Sequence, residues 1–366
     1  MSVYWRDCLA EGRRSRRIVI QVHYPLAPYG IGPWRAFAWL KPCYTPPPMR
    51  HFLDFEKLIA ELEGKIEELR RMSEPDGLNI TDEIARLTSV ADRQLRATYA
   101  KLTAWQKTQV ARHPDRPKAT DYIYGLITGF TPLAGDRAFA DDAAVIGGLG
   151  RFQGRAVVAL GTEKGSDTES RIAHNFGMAR PEGYRKARRL MELAGRFGLP
   201  ILSFIDTSGA FPGIDAEARG QAEAVARSIE ACLEVPVPLV AVIIGEGGSG
   251  GAVALAAGDR VLMLEHAIYS VISPEGCASI LWRDPAQTAT AAEAMRLTAD
   301  DLRRLRLVDE VVPEPLGGAH RDPVKTIQTV GDAVGTALKS LLLMDGATIK
   351  ARRREKYLEM GRETFS

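Results

Sequence analysis

The chain has 366 residues, 45% of them hydrophobic and 26% charged, the composition of an ordinary soluble protein with one large domain or two. A net charge of +2 gives no general attraction for nucleic acid, and no apolar run of about 18–20 residues offers a spanning helix. The four cysteines, Cys8, Cys43, Cys232 and Cys277, form no CxxC pair, so no metal site is expected in this chain and a reducing, cytoplasmic setting is.

Residues 1–48 carry seven Lys or Arg against Asp7 and Glu11 and end in Pro46-Pro47-Pro48. They read as a disordered extension or a misassigned start, with Met49 the natural first residue. Residues 49–117 form an N-terminal helical region. Phe52, Phe55, Ile59, Leu62, Ile66 and Leu69 recur every three or four positions, as on one helix face. Ser73-Glu74-Pro75-Asp76-Gly77 interrupts them, and Ile84, Leu87, Ala91, Leu95, Leu102 and Trp105 resume, which predicts an antiparallel helix pair. Arg112-His113-Pro114-Asp115-Arg116-Pro117 reads as a linker.

From 118 to 322 short Val/Ile-rich runs alternate with amphipathic helices. Strands are expected at 143–147, 156–161, 201–206, 239–245, 260–265, 268–272 and 308–312. One helix spans 182–197, with Tyr184, Ala187, Leu190, Met191, Ala194 and Phe197 on one face and Gly198 as its stop. Another follows Asp215 and presents Ala218, Ala222, Val225, Ile229 and Cys232. Such alternation is the mark of an α/β layering around a mostly parallel sheet. Residues 323–366 are expected to be C-terminal helices.

Two segments have the form strand, glycine-rich turn, helix: Phe204-Ile205-Asp206-Thr207-Ser208-Gly209-Ala210-Phe211-Pro212-Gly213, and Val242 to Ala252 with Gly245, Gly247, Gly248, Gly250 and Gly251. Bare glycine backbone and the unpaired N–H groups of a helix start suit an anion or a developing oxyanion. The second segment admits several readings. Gly245-x-Gly247-x-x-Gly250 with Glu265 fits a dinucleotide fingerprint. Gly247-x-Ser249-x-Gly251, followed by Asp309 and His320, fits the nucleophile elbow of a serine hydrolase. An oxyanion hole without a nucleophile fits too, and so does a tight turn that only packs helix on strand. Asp206 and Glu246 are candidate bases or turn residues. His174 and His266 are candidate catalysts or satisfied surface histidines. Lys164 and Arg185 are cations that would meet a carboxylate or phosphate, or solvated side chains.

Across about residues 50–320 the chain resembles the bacterial-type acetyl-coenzyme A carboxylase carboxyltransferase alpha family. The resemblance rests on Phe52-Leu53-Asp54-Phe55-Glu56, Ala111-Arg112-His113-Pro114, Leu133-Ala134-Gly135-Asp136-Arg137, Asn175-Phe176-Gly177-Met178 and Pro181 to Ala187. The glycine segment Gly245–Gly251, Tyr269 to Trp282 and Pro313 to Arg321 continue it in family order. Ser208 stands where the family usually has proline, Phe211 where it often has tyrosine, and Thr162-Glu163 where His-Gln is expected.

The resemblance implies a ClpP/crotonase-like spiral fold, flanked here by the N-terminal helical pair and the helical tail. It implies a biotin-dependent carboxyltransferase of two alpha and two beta subunits, active only with beta, which carries a zinc ribbon. The same complex includes a biotin carboxyl carrier protein and an ATP-using biotin carboxylase, with no membrane. Carboxybiotin gives up its carboxyl group as CO2, the biotin left behind takes a proton from acetyl-CoA, and the enolate attacks CO2 to give malonyl-CoA. Charge gathers on two oxygens, so oxyanion holes are needed and a side-chain base is not. The candidate donors are the amides of Gly209 and Ala210, or of Gly250 and Gly251, with Gly247, Gly248, Lys164 and Arg185 around the bound groups. A stand-alone crotonase-type hydratase, which needs paired carboxylates, and a hydrolase using Ser249 are the alternatives.

Overall fold

This computed structural model describes residues 2–10, 13–21, 51–72 and 78–362. Strands β1 (Ser2–Ala10) and β2 (Arg13–Gln21) pair antiparallel and belong to a unit of their own, Met1–Arg50. This pair falls within residues 1–48, where a disordered extension or a misassigned start is expected; Pro46-Pro47-Pro48 and Met49 lie outside the described residues.

The second unit runs from His51 to Ser366. It opens with α1 (Lys57–Met72), α2 (Leu78–Tyr99) and α3 (Ala104–Ala111). Helices α1 and α2 pack together, and Ile59, Leu95, Tyr99 and Val110 form their buried cluster with Phe52, Phe55 and Leu316 against it. Thr103 caps α3 by accepting from the Gln106 N–H. Break residues 73–77 lie outside the described set.

The expected linker is not one. Arg116 is 2% exposed; its Nε donates to the Ile244 carbonyl at 2.6 Å and its guanidinium grips Glu314 at 2.5 and 2.8 Å. A charge so buried stays only because both partners are fixed.

The body then runs through α4 (Ala119–Leu126), β3 (Ile127–Pro132), β4 (Val145–Phe152), β5 (Arg155–Thr162), α5 (Thr168–Ala173) and α6 (Pro181–Phe197). It continues with β6 (Ile201–Thr207), α7 (Ile214–Ala218), α8 (Gln221–Glu234), β7 (Leu239–Gly248) and α9 (Ser249–Ala256). Next come β8 (Arg260–Leu264), β9 (Ile268–Ser270), α10 (Pro274–Leu281), α11 (Thr288–Ala294), α12 (Ala299–Arg304) and β10 (Glu310–Val312). Helices α13 (Pro323–Leu341) and α14 (Gly346–Glu359) close it.

The sheet order is β10-β8-β7-β6-β5-β4-β3, with β9 paired to the far end of β7. Pairs β5–β6, β6–β7, β7–β8 and β8–β10 are parallel, and β3–β4–β5 antiparallel. The parallel centre is buried on both faces, which explains its unbroken apolar runs in β6 and β7.

Helix α6 matches expectation over Tyr184, Ala187, Leu190, Met191 and Ala194, and ends at Gly198 with φ 65°. Phe197 instead points out, 66% exposed. The helix expected after Asp215 is two helices. Gly220, at φ 83°, separates them and rotates the buried stripe to Gln221, Ala224, Ser228, Ala231 and Cys232. Strand β3 was not expected. Its Gly129 and Pro132 are residues that strands usually avoid, and β3 has only one neighbour in the sheet.

The C-terminal helices belong to the same unit. Arg353 of α14, 1% exposed, donates to the carbonyls of Cys232, Val235 and Val237 and to both oxygens of Asp259. Among the described residues no helix is long and apolar enough to cross a membrane.

Candidate active site at the two glycine turns

Strands β6 and β7 run parallel and end side by side, so their following turns meet at one edge of the sheet. The meeting is close enough to require glycine. A Cβ on Gly248 would lie 2.3 Å from the Ser208 carbonyl oxygen. A Cβ on Gly251 would lie 2.6 Å from the Gly209 carbonyl carbon, 2.7 Å from the Ala210 nitrogen and 2.7 Å from the Tyr184 hydroxyl.

Donors remain free there. Gly250 and Gly251 are the second and third residues of α9, so their N–H groups have no carbonyl to bond within the helix. Gly248 at the cap position offers no side chain. The Ala210 N–H makes no hydrogen bond within the described residues. The Gly209 N–H is committed, donating to Thr207 Oγ1 at 3.1 Å. The structure therefore brings Gly209, Ala210, Gly250 and Gly251 together, with Ala210 and Gly251 in contact across the two turns. Gly247 and Gly248 are buried parts of β7, pairing with Tyr269 and Ser270 of β9.

Beneath the turns lies a ladder of paired charge, running from buried Asp206 and Glu246 out to exposed Glu275. Lys164 Nζ is 2.7 Å from Asp206 Oδ1 and 3.3 Å from Glu246 Oε2. Arg112 bridges Glu246 and Glu275, each at 2.6 Å. Asp206 also accepts the Glu246 N–H at 2.9 Å, and its own N–H donates to Thr162 Oγ1 at 2.7 Å. Burial opposes the charge on Asp206, but the Lys164 ammonium overrides it and holds the carboxyl below its usual range. Burial likewise opposes the Lys164 charge, and Asp206 and Glu246 outweigh it and raise its pKa. Each of these groups is spent on its neighbours. Glu163, where the resemblance breaks, accepts from Thr120 N and Oγ1 at 2.9 and 2.8 Å and from Gly165 N at 2.8 Å.

The remaining candidates lie apart or are engaged. Arg185 follows Tyr184 on α6, but its guanidinium donates to the Arg219 carbonyl and faces Asp136 at 3.6 Å. Ser249 has the strained left-handed backbone of an elbow, φ 56°, yet among the described residues no histidine bonds to it. His320 stacks on His113 with ring centroids 3.7 Å apart; burial, then the neighbouring His113, pushes its pKa down to about 2. Asp309 is bonded to the Val261 N–H and the Lys356 ammonium. The serine-hydrolase alternative is thereby overturned. Glu265, needed for a dinucleotide ribose, accepts instead from the Glu314 N–H at 3.1 Å. His174 Nδ1 sits 2.6 Å from the Ser170 carbonyl, and His266 stands edge-on to Tyr99. Among the described residues no group of His, Cys, Asp or Glu is arranged to hold a metal.

The charge ladder was missed because its partners are far apart in sequence. Arg112, the key member, lies in the segment read as a linker. The only signal was its place in Ala111-Arg112-His113-Pro114.

Comparison with known proteins identifies the family. The profile of the family described as acetyl co-enzyme A carboxylase carboxyltransferase-like matches residues 52–361. A protein of Gluconacetobacter diazotrophicus named acetyl-coenzyme A carboxylase carboxyl transferase subunit alpha is 69% identical over 87% of this chain and 100% of its own length. One of the same name from Acidiphilium cryptum is 66% identical over 86% and 98%. In fold the chain is similar to a solved Pseudomonas malonate decarboxylase hetero-tetramer in complex with coenzyme A, with TM-score 0.53, 17% identity and coverage of 65% of this chain and 92% of that one. It is similar also to the transcarboxylase 12S hexamer, with TM-score 0.51, 18% identity and coverage of 62% and 42%.

Proposed function

The chain belongs to the acetyl-CoA carboxylase carboxyltransferase family, and on that premise we propose that its two glycine turns form the alpha-side oxyanion site of the reaction. It is the alpha subunit of a multi-subunit carboxyltransferase, and it works in moving a carboxyl group from carboxybiotin to acetyl-CoA to give malonyl-CoA for fatty acid biosynthesis. Its fold is the crotonase-like one.

The observation that carries the site is the contact of Gly251 with the Gly209–Ala210 peptide. Beside it two amides, those of Ala210 and Gly251, have no hydrogen-bond partner among the described residues. Donors fixed in advance stabilise charge that appears only in the transition state. Gly250 is a further donor on the same helix start, while Gly209 shapes the turn. Carboxybiotin, brought on its carrier protein, would supply the carboxyl group and the base for the acetyl methyl proton. The chain's own task is to hold oxygens and exclude competing acids and bases. The neutralised Asp206–Lys164–Glu246–Arg112 ladder suits that task, and the same pairing disfavours a hydratase, which needs a free acid and base.

The finer assignments follow from the family reading. The partner is a beta subunit bearing the zinc ribbon, in an alpha2beta2 assembly served by the biotin carboxyl carrier protein and biotin carboxylase in the cytoplasm. Lys164 acts through the ladder, and Arg185 through its contacts at Arg219 and Asp136. Residues 1–48 precede the family match and are not needed for carboxyl transfer. The test is malonyl-CoA formation from acetyl-CoA and carboxylated carrier protein, with and without the beta subunit. Product is expected only in the mixture. A stable complex that makes none would overturn the reading.

A further inference from the structure

Thr207 is the last residue of β6 and is fully buried. Its hydroxyl spans the turn that follows, accepting the Gly209 N–H at 3.1 Å and donating to the Gly209 carbonyl oxygen at 2.9 Å. That carbonyl and the Ala210 N–H belong to one peptide unit. Gly209 is at φ 146°, a backbone shape that L side chains rarely adopt. On its other side the same peptide leans on the bare Cα of Gly251. Ser208 has no ring to fix its φ, so the hydroxyl clamp and the Gly251 contact hold the turn between them. A donor on a peptide carbonyl also polarises that peptide's N–H, since hydrogen bonds in series strengthen one another.

We propose that Thr207 is a positioning residue for carboxyl transfer, its hydroxyl fixing the direction and donor strength of the Ala210 N–H. This rests on the reading of Ala210 as an oxyanion donor. Thr207 is fully buried, so its role runs through the turn. Its loss weakens an interaction made in the transition state and leaves ground-state binding of acetyl-CoA alone. A proline at 208, by restoring a fixed φ, replaces part of what the hydroxyl does.

The experiment uses the full chain assembled with its beta subunit and compares Thr207→Val, Thr207→Ser, Thr207→Val/Ser208→Pro and Ala210→Pro. Thr207→Val is expected to lower kcat about tenfold, the scale of one hydrogen bond, with KM for acetyl-CoA held within about twofold. Thr207→Ser keeps wild-type turnover, and adding Ser208→Pro restores several-fold of the loss. Ala210→Pro, lacking the N–H, is close to inactive. Normal turnover in Thr207→Val beside an inactive Ala210→Pro overturns the clamp and leaves the hole standing. Normal turnover in Ala210→Pro overturns the hole itself. A Thr207→Val defect shared by Thr207→Ser, or carried equally by KM, or unmoved by Ser208→Pro, reduces Thr207 to packing and also overturns the proposal. Should Thr207→Val not assemble, Thr207→Cys, similar in size but a weak bonding partner, is read by the same criteria.

Discussion

Helix α14 and the start of helix α9 treat polar groups in opposite ways. Around Arg353 every guanidinium donor is answered: three carbonyls and both oxygens of Asp259 take five bonds. At the start of α9 the backbone donors of Gly250 and Gly251, with that of Ala210 beside them, have no partner among the described residues. Buried groups are normally satisfied because an orphan costs about 1–3 kcal/mol. The contrast separates two uses of polarity: saturated bonding anchors the fold, and withheld bonding, on the function proposed above, would meet a charge that the reaction creates.

The strongest challenge to this contrast is Arg353→Met. It should cost about 3–5 kcal/mol by leaving Asp259 buried and unpaired, read by chemical denaturation, while kcat per assembled complex stays constant. A specific loss of kcat would show that the anchor is part of the catalytic machinery after all. Gly251→Ala tests the opposite pole. Its methyl would meet the Gly209–Ala210 backbone, so some stability is lost to overpacking, and turnover per folded complex should fall about a hundredfold; folded complexes that keep wild-type turnover would erase the distinction.

A third variant sharpens the anchored side through pH. Burial opposes the Glu314 charge, but the Arg116 guanidinium prevails and holds its pKa at about 2. This lies below the unfolded value of about 4.3, so its stabilisation is complete above that pH and fades as pH drops toward 2. Glu314→Gln should therefore lower stability at neutral pH and flatten the acid limb in that window. An unaltered acid limb would deny Glu314 this role. The smallest effect is expected at Ser249. Ser249→Gly relieves a left-handed backbone strain on the order of 1 kcal/mol and should leave carboxyl transfer within about twofold of wild type. A large loss would restore the hydroxyl as a reactive group.

Much of this architecture is legible in local sequence. Pro181 and Gly198 bracket α6, and the apolar runs of β6 and β7 announce a doubly covered sheet. Strand β3 escapes because its edge position tolerates Gly129 and Pro132, and the buried stripe of α8 is misjudged because Gly220 resets the helix. The site is half legible. Glycine turns after strands can be seen, but the need for each glycine depends on a neighbour about 40 residues away, as Gly248 does on Ser208. Arg112 and Arg116 look like solvated charges because their partners, Glu246 and Glu314, lie 134 and 198 residues along the chain. The Thr207 clamp is invisible until the turn has a shape.

Strand β7 has one more implication. All ten of its residues are buried; β6, β8 and β9 brace it, and Arg116 bonds its Ile244 carbonyl. The glycines proposed as oxyanion donors follow directly on the end of this beam. Warming should therefore leave the subunit no regime in which it is folded but slack at its tip. Its rate should keep climbing with temperature up to the onset of melting, and collapse with the sheet.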